Sequence, residues 1–335
     1  MHATSVPRES RRPFRFTHWL PLALALLLPQ AQAAPANPDA FDPLAQAIET
    51  FKRDTRYPAG TAVIVVKDGK IAYQGYFGLA DIAAKTAVDA DTVFYIASAT
   101  KPFFALNALL AEHAGSLDTR TSLQAMFPAA RFDGFDASAV TLRHLLTHTA
   151  GIDNVALGWA TAFSGVHDAG SLRALVAQSR TDPDAPFGRF DYSNLGYNIA
   201  SAWMDRADGR AWQDSMHARV FAPLGMRHTT ARASEAKARG WTVALPYSAG
   251  SPAPSTPLYL RKTDATMHAA GGVLSTAPDL ARFLLAQLTT LDALRYAAPA
   301  PHAASPLRQA QSLVKQLRQR IGAYRRARPA PSSAR

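Results

Sequence analysis

The stretch FYIASATKPFFALNALL, residues 94–110, places Ser98 and Lys101 three residues apart where a strand-like run gives way to an apolar helical one. A serine at a helix start lies near unpaired backbone N–H groups and the positive end of the helix dipole. A lysine three residues later lies one turn along on the same face. Burial and the dipole both disfavour its charged form, so such a lysine can accept the serine's proton. The competing reading is a helix cap followed by a solvated lysine. Spacing does not decide, because Ser-x-x-Lys arises about once by chance in a chain of this length. The pattern occurs again at Ser234/Lys237 and at Ser312/Lys315. Ser234 lies in ARASEAKARG (231–240), polar all round, and Ser312 lies in a basic C-terminal stretch. Only Ser98 is embedded in an apolar helix that follows a strand.

Outward from this junction the pattern is α/β. ATKPFFALNALLAEH (99–113) predicts a buried helix stopped by Gly115. TAVIVVKDGKIAYQGYFG (61–78) is two β-branched and aromatic runs joined by Asp68-Gly69, a hairpin signal. PDAFDPLAQAIETFKRD (38–54) sets Phe41, Leu44, Ile48 and Phe51 at helical spacing and predicts an amphipathic first helix. From about 117 to 245 the spacing is mostly helical between loops rich in Gly, Pro, Asp and Asn, as when helices are inserted into a sheet-bearing domain.

A second element, GRFDYSNLGYNIAS (188–201), holds Tyr192 and Asn194 in a turn-rich segment before a helical run. A tyrosine beside a lysine can shuttle a proton between nucleophile and leaving group, and an asparagine can hold an amide-bearing substrate or orient the lysine. Taken alone, a buried tyrosine beside an Asn turn explains the segment equally well.

Together these segments resemble the serine beta-lactamase and penicillin-binding protein superfamily, in its class C beta-lactamase, D-stereospecific peptidase and family VIII esterase branch. IASATKPFFALNALL resembles the branch's nucleophile helix, and GSLDTRTSLQAMFP (115–128) the segment after it. VTLRHLLTHTAGI (140–152) is similar to the family's Leu-Leu-Thr-His-Thr-Ser-Gly stretch, and FDYSNLGYNIAS (190–201) to its tyrosine motif. AAGGVLSTAPDLARFLLA (269–286) resembles its glycine-pair segment. The five segments are collinear and span about 42–288. The resemblance implies an antiparallel sheet flanked by helices with an inserted helical subdomain. It also implies acylation of Ser98, base and acid duties shared by Lys101 and Tyr192, a substrate-positioning Asn194, and the Ser98 N–H as half of an oxyanion hole. Tyr-Ser-Asn in place of Ser-Asp-Asn disfavours the class A branch. The substrate class implied is a β-lactam, a D-amino-acid peptide or a small ester.

One departure stands out. The superfamily's third motif, Lys-Thr-Gly or a His/Trp variant, lies on a core strand after the glycine pair. Here Lys262-Thr263-Asp264 precedes the pair and reads as a loop. After about Thr290 the text turns rich in Ala, Arg and Pro with no strand-like run, so the C-terminal sheet strands are expected to be missing. Two accounts stay open: a truncated or frame-shifted end, or a basic tail whose Leu313, Val314, Leu317, Ile321 and Tyr324 stripe could lie on an anionic membrane. The expected organisation is a leader at 1–33, a hydrolase domain at 34–290 and a tail at 291–335. The functional expectation is an exported serine acyl hydrolase; the alternative is an impaired or non-catalytic remnant of the fold.

Composition narrows the rest. The net charge of +11 comes from the two ends, since residues 35–290 hold 23 basic and 23 acidic side chains. Charge therefore gives no argument for a nucleic-acid substrate. Four arginines precede WLPLALALLL (19–28), too short to span a bilayer, and AQA (31–33) offers small residues for cleavage before Ala34. This reads as a Sec or twin-arginine export signal leading to the periplasm or outside the cell. With no cysteine there is neither a disulfide nor a lipid-modified cysteine. No cofactor is expected. His144 and His148 have a zinc-compatible spacing, but Leu145 stands where a metalloprotease carries its glutamate, so no metal is assigned. No Gly-x-Ser-x-Gly elbow occurs. The expected partner is a small-molecule or peptide substrate, met by a monomer with no membrane span in the mature chain.

Overall fold

Asp68 and Gly69 both take positive φ, 51° and 70°, which is the backbone of a two-residue hairpin turn. They join β1 (Thr61–Lys67) to an antiparallel β2 (Lys70–Phe77), with a bulge at Val65/Val66. The structure, a computed structural model, describes residues 41–296 apart from 166, 249 and 259–261. The expected leader at 1–33 and the tail beyond 296 lie outside the described residues.

Helix α1 (Asp42–Asp54) precedes the hairpin and packs on β2, with Phe41 stacked on Tyr73 at 5.1 Å. Its expected apolar stripe is only partly covered: Phe41 and Ile48 are half-buried, whereas Leu44 is 36% and Phe51 60% exposed. The side chain it does bury is Lys52, whose ammonium donates to the Ala59 carbonyl. A two-stranded hairpin is too narrow to cover a whole helix face, which accounts for the difference. Two short strands, β3 (Leu79–Asp81) and β4 (Thr86–Ala87), lead to β5 (Phe94–Tyr95) and to a 3₁₀ turn, Ala97–Ala99.

Helix α2 (Thr100–His113) follows at once and ends before Gly115 at φ 72°, as its sequence predicts. It is apolar on nearly every side and buries Phe103, Phe104, Ala105, Ala108 and Ala111. Such a helix must be enclosed, and it is. Helices α3 (Leu123–Met126), α4 (Leu142–Leu146), α5 (Val155–Trp159) and α6 (Ala169–Val176) follow, with β6 (Ile152–Asp153) pairing β7 (Arg180–Thr181). Then come α7 (Leu195–Ala207), α8 (Trp212–Met216) and α9 (Ala233–Ala238). Phe104 meets Tyr197 of α7 and Trp212 of α8 at 6.1 and 6.2 Å.

The chain returns to the nucleophile segment through α10 (His268–Gly271), β8 (Leu274–Ser275) and α11 (Ala277–Tyr296). Strand β8 pairs antiparallel with β5, Phe94 opposite Ser275 and Tyr95 opposite Leu274. Helix α11 lies on β1 and stacks Phe283 on Phe103 of α2. It runs to Tyr296, six residues beyond the expected domain edge at 290. Among the described residues each sheet is two-stranded, and no helix is long and apolar enough to cross a membrane.

Candidate active site

Three segments distant in sequence converge on one ammonium group. The first is the 3₁₀ turn that carries Ser98 directly into α2, whose second residue, Lys101, lies one turn further along the same face. Ala97, just before the serine, has φ 46°, a costly conformation for a residue with a Cβ. Lys101 Nζ lies 3.2 Å from Ser98 Oγ.

The second segment is the tyrosine motif, held at the start of α7. Gly196 lets α7 approach α4 so closely that a Cβ there would collide with the Leu145 carbonyl oxygen. This brings the Tyr192 hydroxyl 2.6 Å and Asn194 Oδ1 2.8 Å from Lys101 Nζ. The Tyr192 hydroxyl also donates to Ser98 Oγ over 2.7 Å.

The third is the glycine pair. A Cβ on Gly271 would press on Met267 and Ala97, and one on Gly272 would sit 2.8 Å from the His268 carbonyl. Without side chains there, α10 closes on the nucleophile turn, and the Ala270 carbonyl accepts from Lys101 Nζ over 2.7 Å.

The electrostatics follow from burial. Lys101 is 5% exposed, and desolvation lowers its pKa from 10.5 to about 8. An ammonium has three protons, and the three shortest contacts, to Tyr192, Asn194 and Ala270, use them all. Once deprotonated, the amine has a lone pair for a proton arriving from Ser98, directly or through Tyr192. Ser98 itself is exposed and Tyr192 is 51% exposed, so the reacting side faces solvent.

The other three residues singled out from sequence, Ser98, Tyr192 and Asn194, thus lie within hydrogen-bonding range of Lys101. Asn194 is turned toward the lysine by its carbonyl oxygen. The other Ser-x-x-Lys pair in the described residues has a different setting: Ser234, in the first turn of α9, donates through its N–H and Oγ to the Asp264 carboxylate, and Lys262-Thr263-Asp264 lies in a loop as expected. The histidines at 144 and 148 serve hydrogen bonds, with His144 Nδ1 accepting from Thr141 N and His148 Nδ1 from Ser193 N. Sequence reading missed the Ala270 carbonyl, whose signal was the glycine pair beside it. It also missed the ring of His148, which lies 4.8 Å from that of Tyr192.

The family model described as Beta-lactamase matches residues 44–324. The chain belongs to the Beta-lactamase family. The match begins where the collinear segments begin and runs on into the stretch expected to be a tail. Penicillin-binding protein 4* of Bacillus subtilis is 30% identical over 171 residues, 50% of this chain and 37% of that protein. Esterase EstB of Burkholderia gladioli is 33% identical over 206 residues, 58% of this chain and 52% of that protein. The chain thus spans about half or less of the length of these curated relatives. Among solved structures, the D-alanine carboxypeptidase AmpC of Burkholderia cenocepacia superposes with a TM-score of 0.60 at 26% identity, covering 82% of this chain and 68% of that one. Beta-lactamase family relationships of this kind are those of serine hydrolases, and the fold is the beta-lactamase/transpeptidase-like α/β fold.

Proposed function

We propose that this chain is an exported serine acyl hydrolase that forms an acyl-enzyme on Ser98. The observation that carries the reading is a buried lysine bonded at once to a serine, a tyrosine and an asparagine from two distant segments. In the proposed reaction Ser98 Oγ attacks a carbonyl carbon while its proton passes to neutral Lys101, with Tyr192 as the bridge. The proton then goes to the departing amine or alkoxide, the C–N or C–O bond breaks, and water later releases the acid and restores Ser98. The Asn194 amide, held by Lys101 through its oxygen, offers its N–H groups to an amide-bearing substrate. Substrates proposed are small esters, D-amino-acid peptides and β-lactams, the classes suggested by the names of the relatives. Export rests on the apolar run and small-residue site before Ala34, and the mass of the N-terminus in a secreted fraction tests it.

The test is labelling of residues 34–335 with a fluorophosphonate or a fluorescent penicillin. Labelling that disappears in Ser98→Ala supports the reading, and folded protein that takes up neither probe overturns it. Nitrocefin, p-nitrophenyl butyrate and a D-alanyl anilide then sort the substrate classes. A second reading, the same fold with weakened catalysis, is favoured by the exposed Phe51 and by Lys262-Thr263 lying in a loop. Loss of one oxyanion donor lowers turnover by about 10²- to 10³-fold, so this reading expects slow but serine-dependent labelling.

A further inference from the structure

We infer that His148 is a positioning residue for acyl transfer, gripping the segment on either side of Tyr192 so that its hydroxyl spans Ser98 and Lys101. This rests on the hydrolase reading above and adds a residue that neither the motif spacing nor its metal-like pairing with His144 assigns.

The grip has two points. The His148 carbonyl accepts from Asp191 N over 2.8 Å, and the ring Nδ1 accepts from Ser193 N over 3.2 Å. The residues held are the two neighbours of Tyr192, so the backbone is fixed on both sides of the side chain that must point at the nucleophile. The His148 ring also lies against the Tyr192 ring at 4.8 Å and 32°, and against Tyr197 at 5.4 Å. The phenol is therefore confined between that ring and Lys101, whose Nζ stands 4.8 Å from the phenol ring centre. These contacts add to the hydrogen bonds of its hydroxyl with Ser98 and Lys101 in keeping a half-exposed tyrosine from swinging into solvent.

The backbone shows that the arrangement is built at a cost. His148 has φ 59°, the left-handed region that disfavours residues with a Cβ, although His and Asn enter it more readily than most. The ring is buried and works as an acceptor, so Nδ1 must carry no proton. Burial, and then the charge of Lys101, lower its pKa to about 4, which keeps the lone pair available across the neutral range. A metal ligand would need that lone pair, which Ser193 N already occupies.

Two substitutions separate acceptor from ring. His148→Asn keeps tolerance of positive φ and sets a carbonyl oxygen where Nδ1 stands, while the ring is lost. His148→Phe keeps a ring and removes the acceptor. In the full chain, fluorophosphonate labelling of Ser98 is followed as a function of probe concentration beside thermal melting, and exchange of the Ser193 amide is measured at single-residue resolution. A positioning role predicts that His148→Phe lowers the limiting labelling rate about 10- to 100-fold with half-saturation within about twofold, the range of a misdirected proton-transfer group. It also predicts Ser193 exchange at least about tenfold faster. His148→Asn is expected to restore Ser193 protection and the labelling rate to within about fivefold. A parental labelling rate and protected Ser193 in His148→Phe overturn the inference, as does a loss matching the fraction unfolded. If the parental protein is folded but unlabelled, the hydrolase reading falls; the Ser193 exchange comparison then still confirms or refutes the grip by itself.

Discussion

On the proposed reading, the pH dependence of Ser98 acylation is set by how deeply Lys101 is buried. The base in the proposed reaction is the neutral amine, and desolvation brings its pKa down from 10.5 to about 8. The sign follows directly: a lowered lysine pKa makes the active form appear as pH rises through 8, after which the rate levels off. With a midpoint of about 8, roughly 1% of the amine is neutral at pH 6 and about half at pH 8, so labelling by an uncharged fluorophosphonate should rise about 50-fold over that interval. Above pH 9 it should gain less than about twofold more. His148 and His268, lowered to about 4 and about 3 by burial, do not change charge in this window. Asp205, raised to about 6 by burial, accepts from the Trp212 backbone at the α7–α8 corner and touches none of the reacting groups. The assay is the second-order labelling constant at each pH, corrected for probe hydrolysis, with folding checked by circular dichroism. Lys101→Ala should be slower by at least about 10²-fold and flat with pH. A parental profile that is flat from pH 6 to 9, or one that Lys101→Ala leaves unchanged, refutes the assignment of Lys101 as the base.

Tyr192→Phe removes the hydroxyl that bridges 2.7 Å to Ser98 and 2.6 Å to Lys101; labelling should fall about 10²- to 10⁴-fold with little change in melting temperature, because the ring is half-exposed. Gly196→Ala drives a Cβ into the Leu145 carbonyl and should cost about 1–3 kcal/mol by urea unfolding while also slowing labelling, because α7 carries the tyrosine motif. Asp208→Ala strips the partner from Arg219, an ion pair at 2.5 Å whose carboxylate is 1% exposed; the expected loss is about 3–5 kcal/mol, with the labelling rate of the folded fraction retained.

Much of this was legible in local pattern. Asp68-Gly69 requires a left-handed turn, so the hairpin follows from two residues. The apolar run after Ser98 must be enclosed, which made α2 central, and the order of the segments carried the family likeness. What sequence could not supply was the far side of each contact. Ala270 contributes a carbonyl, and any residue type has one, so only the need for close approach at Gly271 and Gly272 hinted at it. His148 stands out for its spacing from His144, but spacing cannot say that it lies beyond the end of α4 with its ring turned toward a loop 45 residues away. The stripe on α1 misled for a related reason: periodicity marks a face that is able to be buried, and burial depends on how wide an element lies opposite.

The site also divides its labour by depth, and this bears on what it can accept. Lys101, the proposed base, lies 5% exposed under α10, whereas Ser98, the proposed nucleophile, and the half-exposed Tyr192 form the solvent-facing layer. In the proposed reaction a proton leaving Ser98 would move inward, to a side chain that is 5% exposed, and the carbonyl would arrive from the solvent side. Burial gives Lys101 its lowered pKa, so the strength of the base is fixed by the core and not by the substrate. The groups of this cluster proposed to meet a substrate are a serine hydroxyl, a phenol and an asparagine amide. On the proposed reading, Asn194 favours amide-bearing substrates and any further discrimination among ester, peptide and β-lactam belongs to side chains outside the Ser98–Lys101–Tyr192–Asn194 cluster, so substitutions of Ser98 and Lys101 should change rates for all three alike.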